Sequence, residues 1–448
     1  MEKNSLRQTD TPWFVPGKWN VSPYNWAEDV REEMPNLPRK VDIRDVTLRE
    51  GEDQMGFYMT TEQKVEFALR VAEIGMPEIE IGGPSIKPHQ AESCKAIRKA
   101  YDEFGIKTDI LGRYFGDAKD HKHEIDLIMK AGATVVRCTV IDGVLWEDKE
   151  MWEKELNKLP EAVEYIHKEY GAEFSTGIDD CTRAKIERVR NVYKFIKEIG
   201  PDKVWFADTH SAAIPSTVRY LASEIKKIIG DLPLECHMHN QAGLAVANTL
   251  AAIEGGASRP DCVWNGYGDG AGNACLEEVA LDLETLYGVK TGLQLDKIYG
   301  VSNWLEKTCG IQLQPHKAYT GKNAFVDSEY SSTHPDTNPI GLLLLGVPKE
   351  EIPARMAAQK DLLSRQEVFN PEVLGKKKDG VWGPIETRQE KVIKAKLELM
   401  GLKHSDKDVD QVIKALDKAV NKENLIKRKK GYLITEEFEE LVRKTIVP

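Results

Sequence analysis

Short apolar runs and longer amphipathic stretches alternate along the chain between about residues 41 and 289. Each short run is rich in valine, isoleucine or tryptophan and ends in a polar or glycine-containing turn, which is typical of a buried strand. The strand candidates cover residues 41–48, 78–82, 108–113, 134–141, 173–178, 204–209, 234–239 and 262–268. The helical patterns between them include residues 61–75, 124–133, 183–200 and 244–257.

Eight such units of roughly thirty residues each predict an α/β fold of the TIM (β/α)8 barrel type. A doubly wound open sheet is the alternative, but no GxGxxG motif follows the first strand candidate, and the regular repeat favours closure. We therefore expect a TIM-barrel catalytic domain over residues 41–300. Residues 1–40 would form an N-terminal arm that wraps the barrel or a neighbouring subunit, and residues 301–448 a helical C-terminal lid subdomain.

The composition narrows the class of protein. The 448 residues carry a formal net charge of −11, which argues against a broad nucleic-acid-binding surface. No run approaches the ~18 consecutive apolar residues of a membrane span, and the N-terminus lacks the apolar core of a signal peptide. Seven scattered cysteines without a CxxC pair indicate reduced thiols. We therefore expect a cytoplasmic protein.

Two histidines stand one residue apart where the seventh strand candidate ends. His237 and His239 have strand spacing, so their side chains point the same way, roughly 7 Å apart along the chain. Barrel enzymes carry their chemistry at the C-terminal ends of the strands, so both imidazoles would project into the barrel mouth. Such a pair supplies half of the ligands of a divalent-metal site, and the site also needs a carboxylate from elsewhere in the chain. The alternative is a pair of buried structural histidines.

The end of the first strand candidate supplies a carboxylate. The segment DVTLREGEDQMG, residues 45–56, contains Arg49, Glu50 and Glu52 where the chain leaves the strand. A carboxylate at this place can face the same mouth as the two histidines. An adjacent arginine suits an enzyme that builds negative charge on a substrate oxygen. The alternative is a charged turn exposed to solvent.

Together these segments resemble the DRE-TIM metallolyases, the family of isopropylmalate, homocitrate and citramalate synthases and of 3-hydroxy-3-methylglutaryl-CoA lyase. The resemblance rests on DVTLREGE, EIEIGGP, FADT, HMHNQAGLAVANTLAAIEGGA and NGYGDGAGNACLEE, at residues 45–52, 78–84, 206–209, 237–257 and 265–278. It spans the whole predicted barrel. Beyond it, TGKNAF and FNPEVLG at residues 320–325 and 369–375 resemble the lid subdomains of the synthases.

The resemblance implies a role for individual residues around a metal. Glu50, His237 and His239 match the metal ligands of the family. Asn273, in the glycine-rich loop after the eighth strand candidate, matches a position in or beside the metal shell. Arg49 matches the arginine that stabilises an enolate or a polarised carbonyl.

Four further residues are matched to, or lie beside, the substrates. Glu80 matches a catalytic carboxylate near the thioester, and Thr209 matches a threonine that contacts the carboxylate of the 2-oxo acid. His210 would lie beside the 2-oxo acid pocket. His334 matches the histidine that the lid of the synthases delivers for acid–base catalysis, although its spacing from the preceding motif is about two residues longer than in the family.

Two arginines stand at the ends of the third and fourth strand candidates. Arg113 and Arg137 are candidates for binding substrate carboxylates, and helix-facing salt bridges are the alternative. A polar pocket that contains an arginine would favour a dicarboxylic 2-oxo acid. Oxaloacetate, 2-oxoglutarate, pyruvate and 2-oxoisovalerate all stay open at this point.

The family resemblance implies a metal-dependent acyltransferase of carboxylic acid metabolism. It would condense acetyl-CoA with a 2-oxo acid in a Claisen reaction, and thioester hydrolysis would release free CoA. The cofactor would be Mn, Mg or Zn, acetyl-CoA the co-substrate, and the assembly a homodimer. A lyase of the HMG-CoA lyase type, which runs the carbon–carbon step backwards, is the alternative. A non-catalytic paralogue that binds a metabolite is a third.

The sequence departs from the family pattern at several places near the substrate. Gln241 replaces the acid that usually follows the HxHN or HxHD motif, and DTHSA at 208–212 replaces DTVG. GDGAGN at 268–273 replaces GERAGN, the first motif reads GEDQ in place of GEQ, and Gln366 stands where the lid often has tyrosine. These changes spare the metal ligands, so we expect retained metal chemistry with an unusual 2-oxo acid specificity.

Overall fold

The computed structural model describes residues 11–85, 87–140, 154–330, 338–359, 368–377, 379–383, 385–420 and 431–446. The chain forms two compact units, residues 1–21 with 314–448, and residues 22–313. The boundaries expected at residues 40 and 300 both fall inside the second of these units.

The unit of residues 22–313 contains a closed barrel of eight parallel strands, which confirms the predicted TIM fold. The strands are β1 (Arg44–Asp45), β2 (Glu78–Gly82), β3 (Asp109–Phe115), β4 (Val135–Val140), β5 (Glu173–Ile178), β6 (Lys203–Asp208), β7 (Leu234–Met238) and β8 (Arg259–Cys262). Each strand pairs with the next along the chain, and β8 closes on β1 with Cys262 beside Asp45. Because all strands are parallel, their C-terminal ends form one mouth.

Helices surround this barrel. The α-helices of the unit are Glu28–Glu32, Thr47–Asp53, Thr61–Glu73, Pro88–Phe104, His121–Lys130, Leu159–Tyr170, Ile186–Ile199, Pro215–Ile229, Ala245–Glu254, Leu276–Asp282 and Ile298–Cys309. Helix Thr61–Glu73 shows the pattern that packs them: Thr60 and Gln63 form a capping box, and Phe67 and Val71, four residues apart, are buried. Short 3-10 turns cover Pro23–Trp26, Cys181–Arg183, Trp264–Gly266 and Leu295–Lys297, and a π-turn covers Leu283–Tyr287.

The first and last strand predictions are wrong in their extent. Residues 41–48 contain only the two-residue β1, and helix Thr47–Asp53 begins directly after it. The carboxylate of Asp45 accepts the Thr47 N–H at 2.8 Å, which turns the chain into the helix. Residues 262–268 contain the end of β8 and then a 3-10 turn, and the indole of Trp264 also donates to Asp45, at 2.9 Å.

A layer of ion pairs fills the barrel beneath its mouth. Buried Arg44 contacts Glu78, Glu235 and Asp261, the last at 2.8 Å. Arg137 contacts Asp261 at 2.7 Å and Glu235 at 2.9 Å. Burial alone would raise the pKa of Glu78, but Arg44 and two other cations outweigh it and hold that pKa at about 2. The layer therefore consists of charges that the protein itself neutralises.

The other unit joins a small sheet to helices. Strands Val326–Ser328, Asp379–Trp382 and Leu433–Ile434 form the sheet, and the helices are Pro339–Leu344, Ile352–Gln359, Glu390–Leu399, Asp406–Ala419 and Thr435–Ile446. Short 3-10 turns cover Lys349–Glu351, Pro371–Leu374 and Ile385–Arg388. The rings of Trp382 and Phe438 stack at 3.8 Å in its core. This is the helical C-terminal region that the sequence predicts.

Part of the N-terminal arm belongs to this same unit. Strands Phe14–Val15 and Trp19–Asn20 form a hairpin. The Asn20 N–H donates to the Val368 carbonyl at 2.8 Å, and the Asn370 N–H donates to the Lys18 carbonyl at 2.7 Å. The hairpin is thus tied to a segment almost 350 residues away in the sequence.

No cysteine takes part in a disulfide. Among the described residues, no helix combines the length and the apolar composition needed to cross a bilayer.

Candidate active site

Three neighbouring sectors of the barrel bring the predicted metal ligands together. His237 lies on β7 and His239 directly after it, Asn273 lies in the loop after β8, and Glu50 lies on the helix that follows β1. Because β7, β8 and β1 are consecutive around the closed barrel, these side chains meet at one edge of the mouth. The ligand atoms of Glu50, His237 and His239 all lie within 4.8 Å of one another.

Few hydrogen bonds reach the acceptors of this cluster, and one of them is donated by the Asn273 amide to His237 Nε2 at 3.2 Å. Neither carboxylate oxygen of Glu50 accepts a hydrogen bond from the described residues, although the Arg49 guanidinium forms an ion pair with one of them. His237 Nδ1 lies 3.1 Å from the carboxylate of Asp261, so a proton on Nδ1 leaves Nε2 with a lone pair. That Nε2 lies 3.1 Å from a Glu50 oxygen. Two acceptors that face each other at this distance suit a cation between them.

His239 completes the group in its neutral form. Burial lowers the pKa of His239 to about 3, and the nearby Arg49 guanidinium adds to the effect. Its imidazole therefore keeps a lone pair at neutral pH. The rings of His237 and His239 are 5.0 Å apart, and the buried Oδ1 of Asn273 also lacks a hydrogen-bond partner among the described residues. A Cβ at Gly268 would lie 2.1 Å from that Oδ1, so a side chain at this position would displace the Asn273 amide.

Arg49 is held between two carboxylates. It pairs with Glu50, and its Nε lies 3.4 Å from an oxygen of Glu80. Arg137 approaches the other Glu80 oxygen at 3.5 Å. Burial raises the pKa of Glu80 to about 7 even though Arg49 works against the shift. The Arg49 guanidinium is thereby fixed beside the metal ligands.

A cavity of about 160 Å³ opens at the mouth beside this cluster. Its lining combines the candidate metal ligands with arginines, carboxylates, one hydroxyl and one indole: Arg49, Glu50, Asp53, Arg113, Arg137, Asp179, Trp205, Thr209, His237, His239 and Asp269. The Thr209 hydroxyl donates to Asp179 and accepts the Asp180 N–H at 2.9 Å. The structure thus brings seven of the residues singled out from the sequence to one cavity: Arg49, Glu50, Arg113, Arg137, Thr209, His237 and His239.

Other predicted residues lie elsewhere. Glu80 is buried behind Arg49 and is not part of the cavity lining, and the same holds for Asn273 behind His237. His210 is exposed and does not line the cavity. His334 and Gln366 lie outside the described residues.

Sequence reasoning missed two residues that the structure adds to the site. Asp261, on β8, contacts Nδ1 of His237. The last strand was predicted to begin at residue 262, so Asp261 was not placed in the barrel interior. Trp205, on β6, was counted only as an apolar strand residue, yet its indole lines the cavity. The side chain of Trp205 fits because Gly177 faces it: a Cβ at Gly177 would lie 2.7 Å from Trp205 Cδ1.

The position of Arg137 resolves one of the open alternatives. Its guanidinium points into the barrel, where it pairs with Asp261 and Glu235, and not towards the helices. It also lies over the Trp205 ring, 5.1 Å from the ring centre.

Residues that depart from the family pattern contact one another at the rim. The Gln241 N–H donates to the Ser211 hydroxyl at 2.9 Å. Ser211 has a φ of 51°, in the left-handed region that favours glycine, and the motif that it replaces has glycine at this place. A Cβ at Gly270 would lie 3.2 Å from the Gln241 side chain. The departures after β6, β7 and β8 are therefore structurally linked.

Comparisons with known proteins agree with this architecture. Residues 40–305 match the family model described as HMGL-like. A 2-isopropylmalate synthase from Methanocaldococcus jannaschii is 34% identical over 72% of this chain, and the matched part spans only 60% of that relative's length. Homocitrate synthase AksA from Methanopyrus kandleri is 31% identical over 88% of this chain and 91% of its own. The hydroxymethylglutaryl-CoA lyase structure from Pseudomonas aeruginosa superposes with a TM-score of 0.53 at 18% identity, covering 62% of this chain and 95% of that one.

Proposed function

Because this chain belongs to the HMGL-like family of DRE-TIM metallolyases, we propose that it condenses acetyl-CoA with a 2-oxo acid in a reaction that depends on a divalent metal. The products are a 2-hydroxy di- or tricarboxylic acid and free CoA. The observation that carries the proposal is the meeting of Glu50, His237 and His239 beside Arg49 at one cavity. The names of the matched relatives, synthases of isopropylmalate and homocitrate, support this reaction type.

The residues present fit a divalent cation. Glu50 and Asn273 offer buried oxygens without hydrogen-bond partners among the described residues, and the two imidazoles offer lone pairs. Two nitrogens with oxygen ligands suit Mn, Mg or Zn. When bound, the metal supplies Lewis acidity that polarises the keto group of the oxo acid.

Arg49 stabilises negative charge that develops during the condensation. Its guanidinium lines the cavity and is held by Glu50 and Glu80, so it needs little reorganisation when charge builds on a substrate oxygen. Glu80 does not reach the cavity, and we assign it the positioning of Arg49. His334 remains the proposed acid–base group.

The overall step balances without an oxidant or reductant. The methyl group of acetyl-CoA loses a proton, its carbon forms a bond to the keto carbon, and the keto oxygen takes up a proton. Water then cleaves the thioester, which gives the new carboxylate and the CoA thiol. Thr209, whose hydroxyl is fixed by Asp179, lines the cavity where the 1-carboxylate of the oxo acid would bind.

The test is release of CoA thiol by purified protein supplied with acetyl-CoA, Mn²⁺ and a panel of 2-oxo acids. We expect thiol release with one class of oxo acid, and loss of that release in EDTA and in His237→Ala. His167→Ala is the matched control, because His167 pairs with Asp202 at 2.8 Å on the outside of the barrel and should keep full activity. No release from any pairing by protein that binds Mn²⁺ would contradict the proposal and direct the assay to carbon–carbon cleavage of HMG-CoA-like substrates.

A further inference from the structure

Unsatisfied hydrogen-bond groups around the cavity fall into two chemical sets. At the edge formed by β7, β8 and β1 they are acceptors, namely the oxygens of Glu50 and Asn273, and these suit a cation. In the other half of the barrel, across β3 to β6, the lining contains the N–H donors of Arg113, Arg137 and Trp205 beside Asp179 and Thr209. The donors are unrelated to the metal ligands, so they indicate a second part of the bound molecule.

The first of these donors is the indole of Trp205 on β6. The side chain lines the cavity and is only 3% exposed, yet its Nε1–H has no hydrogen-bond acceptor among the described residues. A buried donor without an acceptor is costly, and native proteins satisfy nearly all of them. A ligand oxygen in the cavity would satisfy this one.

The second donor is the guanidinium of Arg113 on β3. Of the three arginines that line the cavity, Arg49 and Arg137 both pair with buried carboxylates. Arg113 pairs with no carboxylate in the part of the chain that the structure describes. It lies over the Phe115 ring instead, 4.7 Å from the ring centre. Its charge is therefore available to a ligand.

Arg113 and Trp205 belong to the same sector of the wall. Arg113 stands directly beside Arg137 in the β3–β4 register, and the Arg137 guanidinium covers the Trp205 ring. The positive charge of Arg137 is neutralised by Asp261 and Glu235 below, whereas no carboxylate of the described residues pairs with Arg113. Within the described part of the chain, this sector thus presents one cation without a counter-ion and one N–H without an acceptor.

The acidic residues of the lining do not cancel that charge. Asp179 accepts the Thr209 hydroxyl. Asp53 is exposed and pairs with Lys87 at 3.3 Å, and Asp269 is exposed at the rim. None of them lies within ion-pair distance of Arg113 among the described contacts.

From these observations we infer that the 2-oxo acid is a dicarboxylate, whose second carboxylate is bound by Arg113 and Trp205. This inference rests on the proposed function for the other end of the substrate. An aliphatic 2-oxo acid would place a hydrocarbon group against an unpaired guanidinium and an unpaired N–H, which a site built for hydrogen bonding rejects strongly. Oxaloacetate and 2-oxoglutarate have the required chemistry.

Binding and turnover of matched substrate pairs test the inference. Oxaloacetate is compared with 2-oxobutanoate, and 2-oxoglutarate with 2-oxopentanoate, so that each pair differs by the second carboxylate. We expect calorimetry with the Mn²⁺-loaded protein to give about 10- to 100-fold tighter binding of at least one dicarboxylate than of its partner. Equal or weaker binding of both dicarboxylates would overturn the inference, whatever the protein then catalyses.

Three variants assign the effect to the two residues. Arg113→Gln should remove the preference for the dicarboxylate, a loss of about 10- to 100-fold, with little effect on the matched monocarboxylate. Arg113→Lys keeps the charge and should recover part of it. Trp205→Phe keeps the ring and removes the N–H, and a smaller loss of about 10-fold is expected. A preference that survives both Arg113→Gln and Trp205→Phe in folded protein would overturn the assignment.

The two proposals fail in different ways. Thiol release with monocarboxylates and no dicarboxylate preference would leave the condensation standing and overturn the inference. Tight, Arg113-dependent binding of a dicarboxylate without thiol release from acetyl-CoA would support the inference and contradict the condensation.

Discussion

Two groups of buried charges lie inside the same barrel, and they differ in how completely the protein satisfies them. In the layer around Arg44, every carboxylate has a cationic partner. At the mouth, and among the described residues, two buried oxygens of Glu50 receive no hydrogen bond and the Arg113 guanidinium pairs with no carboxylate. In the first group every carboxylate is paired without a ligand. In the second, among the described residues, both an anionic group, Glu50, and a cationic group, Arg113, are left for a ligand. Completeness of pairing, more than burial, therefore separates the structural charges from the functional ones.

The largest effect is expected at the incomplete group. Glu50→Ala removes a metal ligand and should lower kcat/KM for thiol release by more than about 10³-fold, because a Lewis-acidic metal supplies several kcal/mol. The same change removes a buried carboxylate with unsatisfied oxygens, so the metal-free protein should unfold at an equal or higher urea concentration. Glu66→Ala removes an exposed carboxylate that pairs with Arg70 away from the cavity, and this control should keep activity. An active Glu50→Ala enzyme would contradict the assignment.

In the fully paired layer around Arg44, a substitution should lower the free energy of unfolding. Arg44→Met leaves Glu78, Glu235 and Asp261 without their shared partner, and removal of one side of a buried ion pair costs about 3–5 kcal/mol. The measurement is the free energy of unfolding of the metal-free protein in urea. Lys130→Met breaks an exposed pair with Asp126 and should cost less than about 0.5 kcal/mol. Equal effects of the two changes would show that the buried layer is not required for stability.

Asp261 belongs to both groups, since it pairs with Arg44 and Arg137 and also holds His237. Asp261→Asn should weaken metal binding by about 10- to 100-fold, because a carboxylate behind a histidine ligand orients the ring and raises its basicity. Competition with a chelating dye measures the affinity. Asp42→Asn removes a carboxylate that pairs with Arg259 and not with His237, and it should leave the affinity unchanged.

The pH dependence of stability tests Glu80. Its pKa is raised by burial from 4.5 to about 7 in the folded protein. Between these pH values the carboxyl group of Glu80 is deprotonated in the unfolded chain and protonated in the folded chain. Its contribution to stability is therefore fully present below about pH 4.5 and is lost as the pH rises through about 7. The metal-free wild type should therefore lose stability relative to Glu80→Gln across this window. If the wild type and Glu80→Gln differ by the same free energy of unfolding at pH 4.5 and at pH 8, the raised pKa is refuted.

The smallest effect is expected at the rim, where the departures from the family pattern cluster. Replacing Gln241 by Asp and His210 by Val restores the family residues outside the cavity lining. The ratio of kcat/KM between two oxo acids should change by about tenfold, the usual range for indirect contacts to a substrate pocket. Each single variant shows which position is responsible. An unchanged preference in the double variant would end the idea that these residues tune specificity.

Local sequence patterns determined the barrel and indicated the candidate metal ligands. Strands of five to seven residues such as β2, β3 and β7 carry enough apolar residues to be visible in isolation. His237 lies within β7 and His239 directly follows it, whereas Glu50 lies on the helix after the two-residue β1, and all three have side chains that metals prefer. Parallel strands in a barrel necessarily end at one mouth, so the sequence order already implies that these residues meet.

The tertiary structure alone decided how each charge is satisfied. Arg44, Glu235 and Asp261 come from three strands that are distant in sequence, and no local pattern indicates that their charges cancel. The helical placement of Glu50 depends on Asp45, which the indole of Trp264 also contacts more than two hundred residues away. That Trp205 and Arg113 lack partners among the described residues is visible only in the tertiary structure. Whether a polar group is satisfied depends on every neighbour within hydrogen-bond or ion-pair distance. A single segment of sequence contains only some of these neighbours.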